Sequence, residues 1–373
     1  MTTGKTNNDN LDVEKLEKIK TSLTKLENKE AKFLFCVPDV KNPSASVYEI
    51  YFHGNVIKKM GYDVLMLNEN DENLIPDLID NELTSLEHLP LSSNKLPVSP
   101  QDFMIIPEVF SNVMEQTKDL PCTRIGLLQS IDYMLNSLIP GTDWKTFNLS
   151  DIITTSKSMK DLVNYHYSNK FNIKVYNPGI PSYFKRTDEP KKPIVSIVAR
   201  NSNDISKIIK LFYSKFPQYS WVTFDPMLTR SKPPQLMRRV DFAKRLGENF
   251  AAVWIDRISS WGTFPLECMK SGTIPICFKP DMLPDYILNR DEKDNPVSVK
   301  ENVGIWTDDF YKIPSLIADT LIRFLDDNID SKIYDEMTEA SSQFTQEKAE
   351  EDLTKIYQEY IDTKINKFKS VIK

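Results

Sequence analysis

The feature that most constrains this chain is an alternation, run through twice, of short apolar segments with stretches of helical periodicity. Phe33-Leu34-Phe35-Cys36-Val37 reads as a buried strand, 45–60 as a helix ended by Gly61, and Asp63-Val64-Leu65-Met66-Leu67 as a second strand. Further strands are expected at 103–106, 124–128 and 152–155, with Lys174-Val175-Tyr176 following a helix. A polar, proline-bearing stretch comes next, Lys185-Arg186-Thr187-Asp188-Glu189-Pro190-Lys191-Lys192-Pro193, whose composition marks a connector between domains. The alternation then restarts, with strands at 194–199, 221–224, 252–255 and 274–278 and helices at 205–216, 234–246 and 265–270. Strands that are apolar throughout must be covered on both faces, and the intervening helices supply the cover. Each half therefore predicts a parallel sheet. Open parallel sheets bind ligands beyond the carboxyl ends of their strands, so chemistry is expected in the cleft between the halves.

Length and composition narrow the function. At 373 residues the chain suits two domains. Only 10 residues are glycine, and neither GxGxxG nor GxxxxGK[ST] occurs, so dinucleotide-binding and P-loop readings fall away. The balance of 47 Lys+Arg against 53 Asp+Glu gives a net charge of −6, which argues against a nucleic-acid coat. Cys36, Cys122, Cys268 and Cys277 are scattered in apolar stretches, without zinc-ligand spacing, and read as core residues in a reducing compartment. The first ten residues lack the apolar core of a signal peptide, and no run approaches a membrane span. The expectation is a soluble, cytoplasmic protein. Residues 1–10 read as a disordered tail, 11–31 as an added surface helix, and 70–100 as an excursion loop with little regular structure.

The richest segment is Trp261-Gly262-Thr263-Phe264-Pro265-Leu266-Glu267-Cys268-Met269-Lys270-Ser271-Gly272-Thr273-Ile274-Pro275-Ile276. It runs from a strand, through a turn at Gly262, into a short helix that carries Glu267. It resembles the nucleotide-binding segment of the two-lobed GT-B glycosyltransferases, especially the large retaining family 4, or group 1, typified by sucrose synthase and bacterial capsule transferases. That family reads E-G-F-G-x-x-x-x-E-A-M-A-x-G-x-P-V. Glu267 matches its second Glu, Cys268-Met269 its A-M, and Gly272 and Pro275 its G and P. In order along the chain, 151–156 with Tyr176-Asn177-Pro178-Gly179-Ile180, then 195–200, Leu283-Pro284-Asp285-Tyr286 and Asn302-Val303-Gly304-Ile305 are similar to further family segments.

The resemblance implies two Rossmann-like lobes with a central cleft and a C-terminal crossover helix, beside the extra N-terminal helix read from periodicity. With the tail and added helix at 1–31 and the linker, read from composition, at 181–193, it assigns 32–180 to an acceptor-binding lobe. A nucleotide-sugar-binding lobe at 194–345 and a helix returning to the first lobe at 346–373 complete it. The implied activity is transfer of a sugar from a nucleotide-sugar donor with retention of configuration, and no cofactor beyond that donor. Donor binding falls to Arg200, Gly262, Thr263, Glu267, Ser259 and Lys207. Ser259 stands where the family has its first Glu, which contacts the transferred sugar. Lys207 lies later than the family Lys, and Asn42-Pro43-Ser44-Ala45 replaces the twin glycines of the first lobe.

The residue chemistry agrees on its own terms. A helix N-terminus beyond a strand offers unpaired amides and partial positive charge to a diphosphate, and Gly262 and Thr263 stand there. Arg200 can present a bidentate fork to phosphate oxygens, and Glu267 can accept from ribose hydroxyls. No Asp-x-Asp motif occurs, so no metal ligands are assigned and a metal-independent mechanism is expected. Glu108 and Gln129 lie just beyond first-lobe strands and are acceptor-side candidates.

His53 and His166 read as structural residues. Arg230, Lys232, Arg238, Arg239, Lys244 and Arg245 read as a solvated helical face. The basic end of the last helix, with Lys364, Lys367, Lys369 and Lys373, leaves peripheral membrane contact open. The acceptor is open among glycan, lipid, protein and modified nucleic acid. Two other function classes stand beside the transferase: a non-catalytic nucleotide- or glycan-binding protein, and a nucleotide-sugar epimerase of the same architecture.

Overall fold

The computed structural model describes residues 6–39, 45–69, 83–91, 98–187, 189–228, 238–300, 303–326 and 331–373. After a leading helix α1 (Thr6–Glu27), the first lobe runs β1 (Lys32–Val37), α2 (Ala45–Lys59), β2 (Asp63–Asn68), β3 (Glu87–Pro90), β4 (Phe103–Pro107) and α3 (Ser111–Gln116). It continues through β5 (Thr123–Leu128), α4 (Ile131–Ser137), β6 (Asp151–Thr154), α5 (Lys157–Tyr167) and β7 (Asn172–Val175). These strands form one parallel seven-stranded sheet in the order β3-β2-β1-β4-β5-β6-β7.

The second lobe comprises β8 (Lys192–Ala199), α6 (Ser202–Lys215), β9 (Thr223–Leu228), α7 (Arg239–Glu248), β10 (Asn249–Ile255), α8 (Thr263–Lys270) and β11 (Ile274–Phe278). A hairpin of β12 (Leu288–Arg290) and β13 (Pro296–Val299) precedes β14 (Ile305–Thr307), and α9 (Ile313–Leu325), α10 (Ser331–Ser342) and α11 (Gln346–Ile372) close the chain. Its parallel sheet has the order β14-β11-β10-β8-β9.

Each sheet is buried on both faces, as the unbroken apolar runs require. One face of the first sheet packs Phe33, Phe35 and Phe103 against α2 and α11, and the other packs Leu34, Met104 and Ile152 beneath α3, α4 and α5. The second sheet is covered by α6 and α9 on one side and by α7, α8 and α10 on the other. The last helix crosses back: Leu353, Tyr357 and Ile361 of α11 lie in the first-lobe core. The crossing is close. Ile180 pairs with Thr345, and a Cβ on Gly179 would stand 2.4 Å from the Thr345 carbonyl oxygen, so only glycine fits.

Several expectations need correction. The leading helix begins at Thr6, inside the expected tail, and continues the helical periodicity of 11–26 toward the N-terminus. It stops at Glu27, short of 31, where Lys29 takes a left-handed φ of 61°. The 70–100 stretch contains β3, a parallel partner of β2; residues 70–82 and 92–97 lie outside the described residues. The strand expected at 221–224 runs Thr223–Leu228, since a 3-10 turn at Pro217–Tyr219 occupies the approach. The helix expected at 234–246 is described from Arg239. Asn42, Pro43 and Ser44, with Arg230, Lys232 and Asn302, lie outside the described residues.

Candidate functional site

In each parallel sheet the strand order reverses once, between β1 and β4 in the first. In the second sheet the reversal falls between β8 and β10, followed by Arg200 and Asp256 respectively. Arg200 Nε–H donates to Asp256 Oδ1 at 2.7 Å, and Asp256 also accepts the Ile258 N–H at 3.0 Å. The guanidinium reaches the other lobe, where it donates to the Tyr133 hydroxyl of α4 and lies 5.3 Å from that ring's centroid. Two of its three nitrogens are thus engaged, Nε and Nη1, and its side chain is 42% exposed.

The loop after β10 leads into α8. Gly262 caps that helix in the left-handed region, φ 73° and ψ 55°, and has no side chain with which to occupy its first amides. A Cβ there would stand 2.9 Å from Pro284 Cγ and 3.1 Å from the Tyr286 hydroxyl, which donates to the Gly262 carbonyl at 2.7 Å. Thr263 opens the helix and is half-buried. Pro265 lacks an N–H, so the unpaired donors concentrate at Gly262, Thr263 and Phe264.

Glu267 sits on the second turn of α8, 6% exposed, and accepts from Arg239 Nη2 at 2.7 Å. Arg239 is not part of a solvated face. It is 4% exposed, its guanidinium 3.8 Å from the Tyr48 ring centroid and 5.7 Å from that of Phe184, because α7 packs against α8 at the lobe boundary. Its neighbour Arg238 is exposed and pairs with Asp241. Burial raises the Glu267 pKa, and the Arg239 charge opposes that rise. Glu49 of α2, which accepts the Tyr176 hydroxyl at 3.2 Å, is pushed up to about 7 by burial, against the pull of Arg239.

Ser259 is turned to the seam between the lobes. Its N–H donates to Asp132 Oδ2 of α4 at 2.6 Å, its hydroxyl accepts the Met282 N–H at 3.1 Å, and Ser260 bridges to Ser130. Lys207 is exposed on α6, in the second turn. Glu108, at the reversal of the first sheet, is 2% exposed; its carboxylate accepts the Gln129 N–H at 3.3 Å, and burial pushes its pKa up to about 7. Gln129 donates through Nε2 to the Ser46 carbonyl at 3.0 Å. Asp285 caps the first-lobe helix α5, accepting the Lys157 N–H at 2.6 Å, and pairs with Arg290 at 2.6 Å.

The structure thus brings Arg200, Ser259 and the start of α8 to one seam, with Glu267 behind it. Sequence reasoning missed Asp132, Tyr133 and Tyr48, whose partners Ser259, Arg200 and Arg239 lie in the other lobe, where no local spacing signals them. His53 is buried, shares a 2.8 Å hydrogen bond with the Tyr357 hydroxyl, and its pKa is lowered to about 3 by burial. All four cysteines are free and buried. Among the described residues, no group of three or more His, Cys, Asp or Glu side chains is placed to hold a metal ion, and no helix is long and apolar enough to cross a membrane.

Comparison with solved structures defines the fold. The chain has the GT-B architecture, superposing on the pneumococcal O-GlcNAc transferase GtfA in complex with UDP and GlcNAc with a TM-score of 0.60 at 7% identity, over 90% of this chain and 99% of that one. A glycosyltransferase from Rickettsia africae gives 0.60 at 14% identity, over 88% and 98%. Sucrose-phosphate synthase from Thermosynechococcus elongatus gives 0.60 at 13%, over 89% and 100%. No protein-family model matches the sequence, and no curated protein matches it.

Proposed function

We propose that this chain transfers a glycosyl group from a nucleoside-diphosphate sugar to an acceptor held against the first lobe. The observation that carries the reading is that Arg200, half-exposed, follows β8 and the uncapped start of α8 follows the adjacent strand β10, at the reversal point of the second sheet. A half-open guanidinium and unpaired helix amides suit a diphosphate. The same fold carries nucleotide in neighbours whose structures contain UDP.

In this reading residues 194–345 bind the donor and 32–180 the acceptor. Arg200 and the Gly262 and Thr263 amides hold the diphosphate and take up the charge that develops as the sugar departs. Preorganised donors of this kind stabilise a transition state by roughly 2.7–4 kcal/mol each, without a divalent ion. Glu267 accepts from the ribose hydroxyls, and configuration at the sugar is retained, as the family resemblance implies. Glu108 stiffens the loop from which Gln129 faces the acceptor side. The test is calorimetric titration with UDP, ADP and GDP. Arg200→Ala and Glu267→Gln should each weaken the best nucleotide by roughly ten- to a hundredfold, the worth of a hydrogen bond to a charged group. Unchanged affinity in both variants overturns the assignment.

One observation favours a second reading, binding without transfer. Ser259 donates its amide N–H to Asp132 and accepts the Met282 N–H at its hydroxyl, so the position where the family presents a carboxylate to the sugar serves the seam. A protein of that kind binds nucleotide tightly yet releases none from any nucleotide-sugar.

A further inference from the structure

We propose that Arg239 is a positioning residue for the Glu267 carboxylate, held in place by the Tyr48 ring, so that a donor-lobe group is set from the opposite lobe. The inference rests on the reading of Glu267 as a nucleotide acceptor given above. Glu267 is buried, and burial alone drives a carboxyl toward its neutral form, a poorer acceptor for ribose hydroxyls. The opposing influence is the Arg239 bond at 2.7 Å. Arg239 is itself buried at 4% exposure, and a desolvated guanidinium needs compensation; the Tyr48 ring face at 3.8 Å, reached across the lobe boundary, supplies it.

The titratable groups around the pair come from several elements. Glu49 and Tyr48 face it from α2, Tyr183 from the connector, and Cys268 and Tyr286 from beside Glu267, while Tyr176 reaches it only through its hydrogen bond to Glu49. Burial holds Tyr176, Cys268 and Tyr286 neutral across the working range. Glu49, already pushed up to about 7, rises further when the Arg239 charge is removed, and so adds no competing charge there. Without Arg239, Glu267 takes up a proton at higher pH, and nucleotide affinity falls as pH is lowered. A residue that only braced the fold would change stability and leave that profile flat.

The experiment is calorimetric titration of the full chain with UDP and with ADP from pH 6 to pH 8.5, on wild type, Arg239→Gln, Arg239→Lys and Tyr48→Leu. Wild-type affinity should vary less with pH than that of Arg239→Gln. Arg239→Gln should lose roughly tenfold or more at pH 6.5 and regain part of it by pH 8.5, one unit of pKa shift being a factor of ten. Arg239→Lys, which keeps the charge, should flatten the profile again. Tyr48→Leu leaves the ion pair in place and should show the same slope in smaller degree; it decides the matter if Arg239→Gln does not fold. Wild-type affinity and a level profile in Tyr48→Leu and in a folded Arg239→Gln overturn the inference while leaving the nucleotide site standing. A wild-type chain that binds neither nucleotide overturns both.

Discussion

The backbone N–H of Ser259 donates to the Asp132 carboxylate at 2.6 Å, tying the loop after β10 to the first turn of a helix in the other lobe. With the Ser130–Ser260 bridge and the Arg200–Tyr133 contact, it draws the carboxyl ends of two sheets together where a ligand of this fold would lie. Asp132→Ala removes a charge-assisted bond worth about 1.5 kcal/mol. The expected result is a Tm lower by about 3–6 °C in a thermal scan, given the usual shift per kcal/mol for domains of this size. An unchanged Tm would show that the bond adds nothing to the seam.

Gly262→Ala is expected to damage both the fold and the site. The left-handed backbone costs a side chain about 1–2 kcal/mol, and the new Cβ would press on Pro284 and on the Tyr286 hydroxyl that fixes the Gly262 carbonyl. The turn must shift, carrying the Thr263 amide with it. Nucleotide titration of the folded variant should show at least about a tenfold loss, as for a lost charge-assisted bond. Full affinity would remove the α8 amides from the site.

Glu49 makes stability depend on pH in a defined direction. Its folded pKa is raised to about 7 while the unfolded value is the ordinary 4.5, so the folded state holds the proton more tightly. The stability it contributes is fully present below about pH 4.5 and is lost as pH rises to about 7, a change on the order of 1–3 kcal/mol. Glu49→Gln keeps an acceptor for the Tyr176 hydroxyl without a titrating proton. Urea unfolding should find the variant close to wild type at pH 5 and more stable at pH 8. A gap that stays constant between those pH values would contradict the buried-carboxyl account.

Much of the fold was legible because buried parallel strands must be apolar along their whole length. Phe33 to Val37 and Ile274 to Phe278 announce themselves in that way. The edge strand β3 does not, since Glu87, His88 and Pro90 suit a strand with one free side, and no apolar run marks it. The candidate site could be proposed from sequence where it depends on local geometry: Gly262 before a helix, an arginine ending a strand. It was hidden where it depends on the meeting of lobes. Arg239 looks like one charge among six clustered around a helix, and only the packing of α7 beside α8 and against Tyr48 turns it into a buried partner of Glu267.

Turnover of a panel of nucleotide-sugars by the purified chain, after exhaustive chelation and again with magnesium or manganese restored, tests the proposed transfer most directly. The account predicts release of nucleotide from at least one donor in chelator, at a rate the metals do not raise. Arg200→Ala, which removes the cation facing the departing diphosphate, should lower that rate about a hundredfold or more. Release from no donor under either condition would contradict the transferase reading. Release that chelation abolishes and metal restores would contradict a mechanism in which Arg200 and the α8 amides carry the charge.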